Sequence, residues 1–164
     1  MLREFKDTKI LVCDPDESTL EKFCAVLFHI GIDRDHLICT KNIKEALDIS
    51  KDIVPDAVFI DLNIEAMQGY SICTFLNDMM TNDFEIPVIL MAYPDTGIGP
   101  LRGVAMRGRG FINKPVQVIP LQNRLSVILK EKELDRKIKD CYCDGTFEHR
   151  VSDLSDRRGG KDAG

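Results

Sequence analysis

DAVFI (56–60), closed by Asp61, is the stretch on which the fold turns. It does not alternate polar with apolar residues, so neither face of such a strand is patterned for water. A short continuous apolar run suits a strand buried on both sides, as in a parallel sheet covered by helices. KILVC (9–13), PVILMA (87–92) and GFIN (110–113) have the same character, and HLICT (36–40) is a weaker candidate between the first two.

The intervening segments have helical period. From Glu17 to Ile30, the apolar residues Leu20, Phe23, Cys24, Leu27 and Ile30 recur at spacings of three and four. Ser18 and Thr19 are start signals there, and Gly31 is a stop. Ile43, Ala46, Leu47 and Ser50 predict a shorter helix with Asn42 as its cap. Ile72, Leu76, Met79 and Met80 line another. Val118, Leu121, Leu125 and Ile128 begin the last, which Leu134 and Ile138 extend to about Lys139. TGIGPLRGVAMRGRG (96–110) must also supply a crossover, yet it holds five glycines and a proline. Each interior glycine costs roughly 1 kcal/mol of helix propensity relative to alanine. A short or irregular helix within 100–107 is expected. Strand and helix thus alternate about five times, which implies a doubly wound α/β fold with right-handed crossovers.

The chain has 164 residues, 44% of them hydrophobic, so one domain with a sizeable core is expected. Asp and Glu outnumber Lys and Arg by 27 to 22, for a net charge of -5, which opposes direct nucleic-acid binding through overall charge. No apolar run approaches the roughly 20 residues needed to span a bilayer. The start, MLREFKDTKI, is too charged for a secretory signal, so membrane insertion is not expected and a cytoplasmic location is. The six cysteines then read as thiols. Cys13, Cys24, Cys39 and Cys73 are expected to be small core residues.

Three charged residues stand at the ends of apolar runs: Asp14 after the first, Asp61 after the third and Lys114 after the fifth. In a parallel sheet all three lie at the carboxyl edge, where open α/β sheets bind ligands. Two close carboxylates repel each other, and a hard divalent cation such as Mg²⁺ relieves that repulsion. The cation and the lysine can then neutralise a phosphoryl group in transfer to one carboxylate, since aspartate can act as the nucleophile.

PDAVFIDLNIEAMQG (55–69) resembles the phosphoacceptor strand and loop of response-regulator receiver domains. Lys114–Pro115 resembles their lysine and following proline, ILVCDPDES (10–18) their acidic first loop, and PVILMAY (87–93) their fourth strand. The resemblance covers about residues 8–139. It implies a five-stranded parallel sheet in the order 2-1-3-4-5, with helices on both faces. It also implies that Asp61 is the phosphoacceptor and that Asp14, Asp61 and the backbone carbonyl of Asn63 hold Mg²⁺. Lys114 contacts the phosphoryl group, and Ala92 and Phe111 occupy the switch positions. The implied partners are a sensor histidine kinase or phosphotransfer protein and a downstream effector protein. No enzymatic turnover of a separate substrate is implied.

The sequence departs from the family pattern at three points. Pro15 stands where a second acid is usual, with Asp16 one residue further on. Ala92 replaces a Ser or Thr whose hydroxyl bonds the phosphoryl group, a contact of roughly 1.5–3 kcal/mol. Tyr93 is bulky where a small residue is usual and could restrict access to Asp61. With Ala92 so small, Phe111 is expected to sit inward without phosphorylation. A receiver-like interaction module that is never phosphorylated is therefore the alternative.

A haloacid-dehalogenase-type phosphohydrolase is a more distant rival, with Asp14 as nucleophile and Asp16 as acid/base. KPVQVIP (114–120) offers no acids after the lysine that such an enzyme also needs. The receiver domain is expected over 1–139 and a polar, flexible tail over 140–164. The chain after Pro115 is too short for a usual helix-turn-helix domain, so a stand-alone receiver is expected, with a fragment cut from a longer protein, its tail a linker, as the alternative. Cys141, Cys143 and His149 in the tail match no common closed zinc site. Arg102, Arg107 and Arg109 read as solvated surface, as do His29 and His36.

Overall fold

The computed structural model describes residues 5–64, 74–75, 86–95 and 110–143. Five strands form one sheet: β1 (Ile10–Cys13), β2 (Leu37–Thr40), β3 (Ala57–Asp61), β4 (Val88–Ala92) and β5 (Phe111–Asn113). All neighbours are parallel and the order is β2-β1-β3-β4-β5. This is the doubly wound α/β arrangement expected from the apolar runs. Every residue of β1, β3 and β4 is buried, which explains why their sequences carry no polar alternation. Asp61 is the last residue of β3 itself rather than the first residue after it.

The described helices are α1 (Glu17–His29), α2 (Ile43–Ile53) and α3 (Val118–Cys143), and a short 3₁₀ turn covers Arg34–His36. Leu11 and Cys13 of β1, Val58 and Ile60 of β3, and Leu90 and Ala92 of β4 share one buried cluster with Ile43, Ala46 and Leu47 of α2. Strand residues two apart point to the same face. Phe59 belongs to the opposite face, where its ring meets Phe23 of α1 edge-on, with centroids 5.1 Å apart. Helices therefore cover both faces. Among the described residues, no helix is long and apolar enough to cross a membrane.

The helix boundaries follow from capping. Ser18 and Thr19 do not start α1. The N-cap is Asp16, whose carboxylate accepts from the Ser18 amide at 3.1 Å and the Thr19 hydroxyl at 2.8 Å. A carboxylate is favoured over a hydroxyl here because it also meets the positive end of the helix dipole. Gly31, with φ of 105°, lies just past the Ile30 C-cap of α1. Asn42 caps α2 by accepting from the Lys44 and Glu45 amides.

The chain divides into two compact units, Met1–Ser126 and Val127–Gly164. In the first, Leu121 and Leu125 of α3 are buried. In the second, the helix continues past Lys139 to Cys143, and Leu134, Ile138 and Tyr142 are exposed. After Pro120 in its first turn, no glycine or proline occurs before Gly145, so nothing in the local sequence stops the helix at Lys139. The expected helix around Ile72–Met80 and the irregular segment 100–107 lie outside the described residues, apart from Thr74 and Phe75. So do Cys73, Arg102, Arg107, Arg109 and His149. His29 is exposed and His36 is half-buried, its Nδ1 within 3.0 Å of the Lys6 carbonyl.

Two of the four cysteines expected in the core are not there. Cys13 is buried, whereas Cys24 is half-buried and Cys39 is exposed. Cys39 sits on β2, an edge strand with an apolar sequence but little cover.

α2 ends unusually. Its C-cap Val54 has φ of 51°, in the left-handed region, with its amide bonded to the Ser50 carbonyl. For a β-branched residue this conformation is strained by roughly 1–2 kcal/mol, and glycine adopts it freely. Val54→Gly should therefore raise the unfolding free energy by about 0.5–1 kcal/mol, after loss of the half-buried side chain. Urea denaturation checks this; a destabilised variant would show that side-chain contacts outweigh the backbone strain.

Candidate functional site

Asp14 follows β1, Asp61 ends β3 and Lys114 follows β5. Because the strands are parallel, all three reach the same edge of the sheet, and there the structure brings them into contact. Lys114 Nζ donates to Asp14 Oδ2 at 2.6 Å and also to Asp61 Oδ2. All three side chains are at most 3% exposed.

Each carboxylate is also held from behind by its own backbone. Asp14 Oδ1 accepts from the Asp16 amide at 2.9 Å, and Asp61 Oδ1 accepts from the Asn63 amide at 2.7 Å. Aspartate commonly bonds the backbone two residues on, and here the same local turn appears twice. One oxygen of each carboxylate is thus fixed by a turn and the other faces the ammonium. Lys114 is anchored in turn, since its amide donates to the Ala92 carbonyl at 2.8 Å. The peptide bond between Lys114 and Pro115 is cis.

Burial raises the Asp14 pKa above the usual carboxylate range, against the lowering effect of hydrogen bonds from Lys114 and the Asp16 amide. Burial works against charge on Lys114, but hydrogen bonds to Asp14 and Asp61 outweigh it and the pKa is raised. Lys114 is accordingly a cation. Cys13, next to Asp14, is pushed up to about 12 by burial and by the charges of Asp14, Glu45 and Asp61, so it stays a protonated thiol.

Two carboxylates and one ammonium leave this triad with one net negative charge. An incoming phosphoryl dianion would be repelled without a further cation. The donor set suits Mg²⁺, a hard ion commonly bound by one or two carboxylates together with waters and phosphate oxygens. Asp14 and Asp61 could hold it, with the carbonyl of exposed Asn63 beside them. Pro15 adds no ligand. Nor does Asp16 replace the missing acid, because its carboxylate caps α1. Among the described residues, no three His, Cys, Asp or Glu side chains cluster into a metal site. The capping role equally removes Asp16 from the acid/base role that a haloacid-dehalogenase mechanism requires.

Ala92 is fully buried at the end of β4, and Phe111 is half-buried against the cluster that contains Ala92 and Leu90. Tyr93 was legible in the sequence as a bulky neighbour, but its main contact was not. Its ring lies over Lys114 Nζ, 5.1 Å from the centroid, while the residue stays 43% exposed. The signal was present: an aromatic residue directly after β4 stands on the same edge as Lys114. A cation–π contact of this kind contributes about 0.5–2 kcal/mol.

No family model matches the chain. It is similar to the heme response regulator HssR of Staphylococcus saprophyticus, 26% identical over 125 residues, covering 75% of this chain and 52% of that protein. It is also similar to the DNA-binding response regulator MtrA of Mycolicibacterium smegmatis, 25% identical over 76% of this chain and 52% of that protein. The chain spans about half the length of the curated relatives it matches. Among solved structures, it shares its fold with a response regulator receiver domain protein from Clostridium thermocellum, with a TM-score of 0.64 and 21% identity, covering 77% of this chain and 98% of that one. The Francisella response regulator 1452 receiver domain gives a TM-score of 0.61 and 22% identity over 76% of this chain and 98% of that one. Sheet order and both kinds of likeness support a receiver domain of the response-regulator type.

Removing the shared cation exposes what it balances. Lys114→Met leaves two buried carboxylates facing each other, and breaking a buried pair in this way costs about 3–5 kcal/mol. Loss of the ammonium also raises the already elevated Asp14 pKa further. A carboxyl with a raised folded-state pKa contributes stability at low pH, lost as the pH rises through that pKa. We expect the full destabilisation at neutral pH and a much smaller one in mildly acidic solution, measured by urea denaturation at both. An equal loss at the two pH values would show that packing, not charge, dominates.

Proposed function

We propose that the chain is a phosphoacceptor receiver of a two-component phosphorelay. The observation that carries this reading is the contact of Lys114 with both Asp14 and Asp61 at the carboxyl edge of the sheet. Asp61 is the nucleophile. One of its carboxylate oxygens attacks the phosphorus of a phosphohistidine or small phosphodonor, the bond from phosphorus to the leaving group breaks, and an aspartyl phosphate forms. Lys114 moves from pairing two carboxylates to pairing the new phosphoryl oxygens. Asp14 and Asp61, with the Asn63 carbonyl, would hold Mg²⁺, which would supply charge neutralisation at the phosphoryl group. Tyr93 lies over the lysine and narrows the approach.

The partners on this reading are a sensor histidine kinase or phosphotransfer protein upstream and an effector protein downstream. The module acts in the cytoplasm by protein contact, without turnover of a separate substrate. Half-buried Phe111 beside Ala92 is the output element. Ala92 lacks the hydroxyl that would distinguish the phosphorylated from the unmodified state, so the switch is shallow.

A second reading is favoured by one specific observation. Asp16 caps α1 instead of replacing the acid absent at Pro15, and all four oxygens of Asp14 and Asp61 already accept hydrogen bonds. A site so satisfied without a metal suits an interaction module that is never phosphorylated.

Incubation with phosphoramidate and Mg²⁺, followed by intact mass, separates the two. Wild type should gain one phosphoryl group, Asp61→Asn none, and Pro15→Asp should lower the Mg²⁺ concentration for half-maximal gain by about tenfold, or roughly 1.4 kcal/mol of added attraction. If wild type and Pro15→Asp both stay unmodified at high Mg²⁺, the phosphorylation-independent reading stands instead.

A further inference from the structure

Away from the acidic edge, a half-buried thiol and an exposed one face each other. Cys24, midway along α1, and Cys39, on edge strand β2, have their sulfur atoms 2.9 Å apart. A disulfide bond is about 2.05 Å long, so small side-chain rotations close the gap. We propose that Cys24 and Cys39 form a reversible dithiol–disulfide site that reacts with low-molecular-weight disulfides.

The setting separates this pair from the other described cysteines. Cys13 is fully buried and held protonated. Cys141 lies in the second unit. The Cys24–Cys39 pair borders an open groove lined by Leu20, Glu21, Thr40 and Lys41, so a small reagent can reach it. The two thiols are also unequal. The hydrogen bond between them lowers the Cys24 pKa and raises that of Cys39, so Cys24 is the more readily ionised of the two. The thiolate is the nucleophile in exchange, and a partner thiol within reach resolves the product.

The steps balance. Cys24 Sγ attacks one sulfur of the small disulfide; the S–S bond breaks and one thiolate leaves, giving a mixed disulfide. That thiolate, or water, takes the Cys39 proton. Cys39 Sγ then attacks Cys24 Sγ and expels the second small thiol. Two protein thiols are oxidised and one small disulfide is reduced to two thiols.

The product ties α1 covalently to β2. The tie lies beside an existing non-covalent one, the Lys41–Glu17 ion pair at 2.7 Å. Because α1 is capped by Asp16, whose amide also holds Asp14, the cross-link stiffens the helix that begins at the acidic loop.

The experiment equilibrates the full chain with glutathione and glutathione disulfide at graded ratios, quenches with acid, alkylates and maps the peptides. The expected result is a Cys24–Cys39 cross-linked peptide in monomeric protein, reversed by excess glutathione. The melting temperature should rise by about 5–10 °C on oxidation, as for closure of a loop of this length. Cys141→Ser should leave the cross-link unchanged. Cys39→Ser should stop at a mixed disulfide on Cys24, and Cys24→Ser should abolish the reaction. Separate alkylation of Cys24 and Cys39 at every ratio, or cross-links that join other cysteines, overturns the proposal. The wild-type map decides even where a serine variant folds poorly.

Discussion

One ammonium holds two buried carboxylates apart and together. Without Lys114, Asp14 and Asp61 would face each other across a dry sheet edge. With it, β5 acquires an electrostatic anchor to two strands it does not pair with: β1 and β3 supply the acids and β5 supplies the base. The ion pairs are buried, so water and salt screen them little. The remaining features of the site arrange themselves around this contact. The two backbone turns fix the carboxylates, Tyr93 lies over the cation, and the Ala92 carbonyl fixes the lysine backbone.

The same contact bears on both readings of the site. On the proposed phosphoacceptor reading, phosphoryl oxygens would replace the lysine's internal partners, so the internal pairing must be good enough to fold and weak enough to surrender. Here all four carboxylate oxygens of Asp14 and Asp61 accept hydrogen bonds. Pro15 removes a charge that would compete for Lys114, and Asp16 is engaged with the first turn of α1.

Much of the fold was legible because the central strands are buried on both faces. Residues such as those of DAVFI have no polar side to confuse the reading, and Asp14, Asp61 and Lys114 stand out as the first charges after apolar runs. The failures share a different cause. HLICT (36–40) looks like core in one dimension, yet β2 lies at the sheet edge and leaves Cys39 exposed, which only the strand order reveals. Asp16 outcompeted Ser18 as a cap through charge at the helix terminus, a preference that spacing alone does not rank. The meeting of Cys24 with Cys39 joins residues distant in sequence, and no local pattern encodes such a pair.

The placement of Tyr93 has an optical consequence. The chain contains no tryptophan and three tyrosines, so tyrosine emission is not masked by indole. Tyr142 is exposed on α3, well along the helix in the second unit, and reports on water. Tyr93 instead emits from beside a buried ammonium. Any event that draws Lys114 away from its carboxylates alters the field at that phenol, and the protein thereby carries its own unlabelled fluorophore for the occupancy of the acidic edge.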